Sequence, residues 1–546
     1  MTTHHTFSNF SSFCFRAGLT LCLVASGWPA YPSSSSGPSA SAASPSLGRG
    51  DLRWLDRVTF GIDSATVARY ERLGRGKFLD EQLHLPGDDP PDLAVAVGAL
   101  SITQQTAEQR MRAVVAEQQR INGVGGVGGR GGLATEDDKQ KARTALNLAG
   151  NQVLYETTKR HLMRAVLSPA QLREQMTWFW MNHFSVFAGK ANIRWTLAEY
   201  EASVRAHALG RFSDLVMATV TSPAMLEYLD NAQSSVGRIN ENYARELMEL
   251  HTLGVSGGAS GSRYTQQDVQ ELARVLTGAG LNLTDITPKV SKERQSQYVR
   301  RGLFEFNPPR HDFADKKVLG KTIQGEGLPE IEQAVTLLCR QEATARFISR
   351  KLATYFVADE PPAKLVDKMT QTFEHSEGSI ADVLRVMFLD HEFIASLDKA
   401  ATEGAAYEKF KDPMQFVVSS LRLAYDGQTL TNYQPVIGWL TQLGEPLYGR
   451  VTPDGYPLTE PAWTSSGQMV RRFEIARAIG SGSAGLFNTD DNKPGPNIGF
   501  PMLTNRLFFD VLEPALGART REALKRTASQ QEWNTMFLAS PDWMQR

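Results

Sequence analysis

Apolar residues recur at helical spacing over most of the sequence, and the apolar–polar alternation of half-buried strands is scarce. Helix starts agree with this pattern, since Ser168 and Ser222 each precede a proline and Thr265 precedes Asp268 by three residues. The chain of 546 residues is 41% hydrophobic, so it can bury an ample core without disulfides. We therefore predict an all-α fold, with residues 51–546 as one large helical domain with long irregular loops.

The N-terminal region has the pattern of an export signal. Arg16 precedes an apolar run over residues 17–25, which is shorter than the roughly 20 residues that span a bilayer. Small residues follow that run, so we predict a signal peptide over residues 1–30 and a periplasmic or secreted protein without a transmembrane segment in the mature chain. Residues 31–50 are rich in Ser, Ala and Pro and predict a disordered linker.

Charge and cysteine content restrict the class of protein further. The 58 Lys and Arg residues balance 59 Asp and Glu residues, and a net charge of −1 gives no reason to expect a nucleic-acid partner. Of three cysteines only Cys339 lies outside the predicted signal peptide, so no disulfide is expected in the mature chain. A Gly-rich stretch, residues 121–135, predicts a mobile loop.

The stretch from Asn240 to Gly254 predicts an amphipathic helix with a good N-cap and a glycine at its end. At about 100° per residue, one polar arc carries Glu241, Asn242, Arg245, Glu246 and Glu249. The arc is open to two interpretations. It is either a solvated ladder of i, i+4 ion pairs, or the lining of a cleft in which Glu246 and Glu249 are acid–base groups or metal ligands.

Two polar residues interrupt the aromatic run of residues 178–184. The aromatic side chains predict core packing, whereas Asn182 and His183 need partners if they are buried. His183 fits a general base, a metal ligand or a structural donor equally well. Together with His251, it also leaves open a redox or haem-dependent protein.

A third stretch follows Phe306. Pro308 and Pro309 predict an extended loop that presents His311 and Asp312. This pair could bind a ligand or metal, or could cap the structure that follows. The sequence contains no zinc-protease, covalent-haem or nucleotide phosphate-binding motif, so it assigns no cofactor and no metal.

These stretches resemble the bacterial domain-of-unknown-function family 1800, in the right order over roughly residues 51–480. The resemblance rests on Trp178–Phe184, Met225–Asp230, Asn240–Val255, Tyr264–Val269, Ala273–Gly278, His311–Asp312, Lys317–Gly320, Pro453–Pro457 and Trp463. It implies an exported helical protein whose gene often neighbours one for an exported, sulfatase-like protein, a candidate partner. It implies no established set of catalytic residues.

The leading hypothesis is a cell-envelope hydrolase with a polar cleft built at several helix starts. Its expected catalytic residues are His183, Arg245, Glu246, Asp268 and Arg274. Its expected ligand-binding residues are Asn182, Asp230, Asn240, Glu241, His311 and Asp312. Glu246 is the general base or a metal ligand, Arg245 or Arg274 stabilises an anion, and His183 carries a proton.

The alternative is a non-catalytic binding or assembly protein that works with another exported protein. In that case the same residues form a buried network, with Glu241–Arg245 and Asp268–Arg274 as structural ion pairs. The two hypotheses differ in whether the side chains line an open cleft or interlock in a closed interior.

Overall fold

Long amphipathic segments fold as the apolar spacing predicts. The computed structural model describes residues 47–123, 135–255, 264–284, 286–397, 409–496 and 498–546. It is 63% helical with 4% strand, which confirms the all-α prediction. The predicted signal peptide, nearly all of the linker and most of the Gly-rich loop lie outside the described residues, so those assignments remain predictions.

The α-helices of the first half are α1 Arg49–Val58, α2 Ser64–His84, α3 Pro91–Gly98, α4 Ala107–Asn122, α5 Glu136–Leu167, α6 Gln171–His183, α7 Leu197–His207, α8 Phe212–Val220, α9 Pro223–Tyr228, α10 Glu241–Glu246 and α11 Gln266–Val275. Those of the second half are α12 Leu328–Cys339, α13 Glu342–Phe356, α14 Ala363–His375, α15 Ile380–Phe388, α16 His391–Leu397, α17 Pro413–Tyr425, α18 Gln434–Gln442, α19 Ser466–Gly480, α20 Ala518–Lys525, α21 Gln530–Leu538 and α22 Pro541–Met544. Two π-helical segments cover Leu247–Thr252 and Phe508–Leu512.

Two small antiparallel sheets follow α11. The strands are β1 Ala279–Leu281, β2 Val299–Arg301, β3 Phe304–Phe306, β4 Lys316–Val318 and β5 Lys321–Ile323. The first sheet has the order β1-β3-β2 and the second pairs β4 with β5. Each strand has only three residues, which is too short for alternation to be visible in the sequence.

Three helices form the centre of the fold. All residues of α17 are buried, as are all of α6 except Arg173, and α5 is buried along its second half. α5 contacts both α6 and α17, and α6 also packs against α7 and α1. This explains why the aromatic run in α6, including Trp180 at 0% exposure, is core as predicted.

The predicted helix starts are partly right. Thr265 and Asp268 form the predicted capping box at α11. Ser168 and Ser222 make no side-chain cap, and α6 begins at Gln171 instead of Pro169. Among the described residues, no helix combines the length and apolarity needed to cross a bilayer.

Candidate functional site

The helix predicted from Asn240 begins as an α-helix and continues as a π-helix. The Asn240 Oδ1 accepts the amide hydrogen of Asn242 at 2.9 Å, which confirms the N-cap. After Glu246 the backbone widens, and the Thr252 hydroxyl donates to the Leu247 carbonyl at 2.7 Å. Short π-helical segments occur often at functional sites. A π-helix turns through a smaller angle per residue than an α-helix. The positions after Glu246 therefore do not follow the polar arc that was predicted for an α-helix.

Most of the polar arc of α10 is engaged in a surface network. Arg245 lies 3.7 Å from Glu241 and 3.5 Å from Glu249, and it donates to the Gln266 side chain at 2.7 Å. Gln266 in turn donates to Glu241 at 2.6 Å. For these residues the ladder interpretation is therefore correct.

Glu246 is different. It is half-buried, and it forms no hydrogen bond or ion pair in the described part of the chain. Burial raises its pKa, and the carboxylates of Glu249 and Asp454 raise it further against the effect of Arg245. Burial, Glu246 and Asp454 together raise the pKa of Tyr228 to about 12. Glu246, Asp454 and Tyr228 lie on separate elements. Asp454 therefore affects the pKa of both other groups, and Glu246 affects that of Tyr228.

Asp230 and Asn240 lie at the two ends of the segment that connects α9 to α10. The Asn240 Nδ2 donates to the Asp230 carbonyl at 3.1 Å, and the Asp230 carboxylate pairs with Lys190 at 2.8 Å. Asp230 has a positive φ of 60°. Both residues therefore shape the chain before α10.

Asn182 fixes the irregular segment between α18 and α19. Its Oδ1 accepts the Tyr456 amide hydrogen at 2.5 Å, and its Nδ2 donates to the Tyr456 carbonyl at 3.0 Å. The neighbouring Gly455 has a φ of +77°, and a Cβ there would lie 2.2 Å from the Asn182 carbonyl oxygen. Asp454, next in this segment, pairs with Arg450 at 2.7 Å.

His183 is buried between two partners. Its Nε2 donates to the His251 carbonyl at 3.1 Å, and its Nδ1 faces the Lys351 Nζ at 2.9 Å. Burial lowers the pKa of His183 well below its ordinary value, and Lys351 and His251 lower it further. Because both ring nitrogens are engaged, His183 has no free nitrogen for a metal or haem iron. Its geometry fits the structural-donor interpretation.

His251 is a core residue with an unusual environment. It is fully buried, and among the described residues neither ring nitrogen has a hydrogen-bond partner. Burial, followed by Lys351, lowers its pKa to about 3, so the ring is neutral.

Asp268 and Arg274 do not pair with each other as the structural alternative predicted. The Asp268 carboxylate caps α11 and accepts the Leu319 amide hydrogen at 2.7 Å. Arg274 pairs with Asp312 at 2.8 Å and with Glu271 at 2.9 Å. The Arg274–Asp312 pair ties α11 to the loop before β4, and Asp268 ties it to the turn between β4 and β5.

The prediction of an extended loop presenting His311 is wrong. Pro308–Arg310 form a 3-10 turn, and His311 points inward with 0% of its side chain exposed. Its Nδ1 donates to the Thr277 carbonyl at 2.7 Å, and its Nε2 lies 2.8 Å from Glu330. Lys316, also fully buried, pairs with Glu330 at 2.5 Å. The three side chains form a buried ionic triad.

Sequence reasoning missed Lys351 and Asp454 as site residues. Burial lowers the pKa of Lys351 to about 8, and Asp454 acts against that shift. A signal for Lys351 was present, because it follows Ile348 by three residues and precedes Tyr355 by four on the buried face of α13. A lysine at a core-facing position is unusual.

The eleven predicted residues therefore divide into two groups. Around the π-helical segment and Asp454 lie Asn182, His183, Asp230, Asn240, Glu241, Arg245 and Glu246. Around α11 and β4 lie Asp268, Arg274, His311 and Asp312, which are engaged with one another or with neighbouring backbone. In the described chain, no three His, Cys, Asp or Glu side chains are grouped to hold a metal.

Comparisons with known proteins agree with the resemblance seen in the sequence. A match to the family described as "Protein of unknown function (DUF1800)" covers residues 53–545. No curated protein and no solved structure matches the chain. Since the match spans nearly the whole sequence, the chain belongs to the DUF1800 family of proteins of unknown function.

Proposed function

We propose that the protein is an exported hydrolase of the cell envelope, with Glu246 as its general acid–base group. One observation supports this proposal above others. Glu246 is a half-buried carboxyl without a hydrogen bond or ion pair among the described residues, next to Glu249, which binds Arg245 and Tyr264. A carboxyl whose pKa is raised by burial is suited to taking and returning a proton.

The proposed site is smaller than the sequence suggested. Asp268 and Arg274 are used in holding α11 and β4, so they leave the catalytic set. Arg245 remains next to Glu246, and Asp454 and Tyr228 join it through their electrostatic effect. In this site Glu246 would activate a water molecule and later protonate the leaving group.

The test compares two glutamates of the same segment. Purified exported protein is assayed with chromogenic esters, phosphate esters and glycosides. Glu246→Gln should lower the rate by about 100-fold or more, while Glu249→Gln should keep most of it. A folded Glu246→Gln variant with the wild-type rate on the responsive substrate contradicts the proposal.

The pH dependence offers a second readout. Because the base must be ionised, the rate should fall as the pH drops through the raised pKa of Glu246. A rate that falls only below the ordinary range for a carboxyl contradicts the assignment of Glu246.

A second candidate is a binding or assembly protein, favoured by the interlocked contacts of Arg274, Asp312 and His311. The family resemblance suggests a sulfatase-like exported partner. Co-purification of the two natively exported proteins, with Glu246→Gln retaining the complex and the cellular phenotype, would favour this candidate over the hydrolase.

Export itself has a direct test. The mature protein should be found in the periplasm or medium with its N-terminus near the end of the predicted signal peptide, residues 1–30. Recovery of an uncleaved chain from the cytoplasm contradicts export.

A further inference from the structure

Lys351 has hydrogen-bonding capacity that the described protein does not use. A protonated lysine has three N–H donors. One of them faces the His183 Nδ1 at 2.9 Å, and Lys351 makes no other hydrogen bond or ion pair in the described chain. Its Nζ also lies 5.9 Å from the Phe347 ring centre. Two donors on a partly buried ammonium group are therefore available to an acceptor from outside the protein, such as an anionic ligand.

His183 controls how Lys351 is held. The His251 carbonyl can only accept, so the hydrogen on the His183 ring is at Nε2, and Nδ1 presents a lone pair. That lone pair can only accept a hydrogen from Lys351. Because burial and Lys351 hold the pKa of His183 low, the ring stays neutral and keeps this tautomer.

Lys351 and Glu246 lie on elements that pack against each other. α13 packs against the π-helical segment that follows Glu246. Gly254, just after this segment, also lies against α13, because a Cβ there would be 2.9 Å from the Phe347 ring. Phe347 lies one turn before Lys351 in α13. The charge of Asp454 acts on both Lys351 and Glu246. His251, within the π-helical segment, links to Lys351 through His183.

We propose that Lys351 binds an oxyanion on the reacting group of the substrate, either a carboxyl or a phosphoryl oxygen, and that His183 is a positioning residue that aims it. The catalytic part of this proposal rests on the hydrolase proposed above, whereas the binding part does not. His183 then acts through Lys351 instead of carrying a proton itself.

The chemistry balances without a further reactant. A water oxygen bonds to the acyl or phosphoryl centre, and the Glu246 carboxylate takes the water proton. The negative charge that develops on the substrate oxygen is met by the two free donors of Lys351. The bond to the leaving group then breaks, and the leaving group takes the proton from Glu246.

The test labels amines on the folded wild-type protein with an acetylating reagent and measures each site by mass spectrometry. Acetate and inorganic phosphate are compared with sodium chloride at equal ionic strength. Lys364, an exposed lysine of α14, is the internal control. At ten times its Kd, either anion should slow labelling of Lys351 by about tenfold and leave Lys364 unchanged.

The two anions separate the substrate classes. Protection by acetate alone indicates an acyl substrate, and protection by phosphate alone indicates a phosphoryl substrate. Unchanged Lys351 labelling with both anions overturns the proposal. Lys351→Met should abolish phosphate or acetate binding in calorimetry, whereas Lys364→Met should retain it.

His183 is tested through the pH profile of Lys351 labelling. His183→Asn keeps an acceptor oxygen near the position of Nδ1, and His183→Phe removes it. The Asn variant should label like wild type, and the Phe variant should shift the midpoint of Lys351 labelling. If the Phe variant and wild type give the same Lys351 labelling profile, His183 does not position Lys351. If the Phe variant fails to fold, a shifted midpoint in the Asn variant overturns it.

Failure of the two proposals can be told apart. If Glu246→Gln loses activity while Lys351 shows no anion protection, only the oxyanion proposal fails. If Glu246→Gln stays active while Lys351 is protected, the hydrolase assignment fails and the anion site stands.

Discussion

At the scale of single residues, Glu246 and Glu249 are the same side chain three positions apart in different surroundings. Glu249 is paired with Arg245 and accepts from Tyr264, whereas Glu246 has neither kind of partner in the described chain. A carboxyl whose pKa is raised in the fold favours folding while it is protonated, and that contribution is lost as the pH rises through the raised pKa.

Glu246→Gln should therefore stabilise the protein at neutral pH by up to about 0.5 kcal/mol. The gain should vanish in acid below the ordinary carboxyl pKa, where wild-type Glu246 is already protonated. Chemical denaturation at both pH values measures it. Glu249→Gln removes a paired charge, so it should not stabilise the protein at either pH. Equal gains in unfolding free energy for the two variants would contradict the difference between the unpaired Glu246 and the paired Glu249.

The buried triad gives a larger effect. Burial alone would raise the pKa of Glu330, but hydrogen bonds from His311, Lys316 and the Gly327 amide lower it. Replacing it with Gln removes the carboxylate that Lys316 contacts at 2.5 Å, and leaves this buried cation with only the more distant charge of Asp312. Glu330→Gln should cost about 3–5 kcal/mol of unfolding free energy.

Asp312→Asn is the matched control for the triad. The Asp312–Arg274 pair is partly exposed, at 19% and 23% of the side chains, so its loss should cost at most about 1 kcal/mol. Both values follow from urea denaturation. A Glu330→Gln cost as small as that of Asp312→Asn contradicts a closed ionic triad.

The residues that sequence reasoning found or missed differ in the range of their contacts. The Asn240 and Thr265 caps depend on bonds to residues two or three positions away, and both were predictable. The contact between Lys351 and His183 joins residues 168 positions apart, and no local pattern encodes that distance. The position of His311 was predicted wrongly because its ring contacts Glu330 in α12, 19 positions away.

At the scale of elements, the π-helical segment Leu247–Thr252 is the main departure from the sequence prediction. Helical periodicity assumes a constant period, and one widened turn leaves the apolar pattern nearly unchanged. The ends of the element were predictable, since Asn240 caps the start and Gly254 has a φ of +84° after the end. The segment packs against α12 and α13, which are distant in sequence.

Gly254→Ala tests that packing. The substitution should cost about 1–2 kcal/mol for the left-handed backbone alone, plus the cost of moving the Phe347 ring, which a Cβ would approach to 2.9 Å. Gly123→Ala is the matched control, because Gly123 is left-handed with a φ of 71° and a ψ of 13° and has nothing within 4 Å of a Cβ.

The comparison isolates the contact from the backbone effect. Gly254→Ala should unfold at a lower temperature than Gly123→Ala. It should also alter labelling of Lys351, which lies one turn beyond Phe347. If the two variants unfold at the same temperature and Lys351 is unaffected, α13 does not hold the π-helical segment in place.

At the scale of the whole molecule, helical content and extent were predictable, whereas the arrangement of helices was not. Apolar spacing predicted a large helical domain, and α5, α6 and α17 fill its centre. Which helices meet there depends on side chains far apart in sequence. Gln415, for example, donates to the Asp56 and Thr59 carbonyls more than 350 positions away, at 3.1 Å each.

Arg546 joins three distant parts of this core. Its side chain donates to the Tyr355 carbonyl at 2.6 Å and to the Gln175 side chain at 3.3 Å, and its amide donates to the Lys409 carbonyl at 2.9 Å. The guanidinium also lies 4.7 Å from the Tyr355 ring centre. A residue only 2% exposed thus connects α6, α13 and the segment before α17.

Arg546→Ala should therefore cost about 3 kcal/mol of unfolding free energy, because it removes charged hydrogen bonds and a cation–π contact from the interior. Arg526→Ala is the control, since Arg526 pairs with Glu522 at a surface where 77% of its side chain is exposed, and its loss should cost about 0.5 kcal/mol or less. Urea denaturation of both variants gives the values.

Because Tyr355 lies one turn after Lys351 in α13, the Arg546 variant should also expose Lys351 to faster labelling. A change confined to stability would mean that Arg546 holds the core without reaching the proposed site.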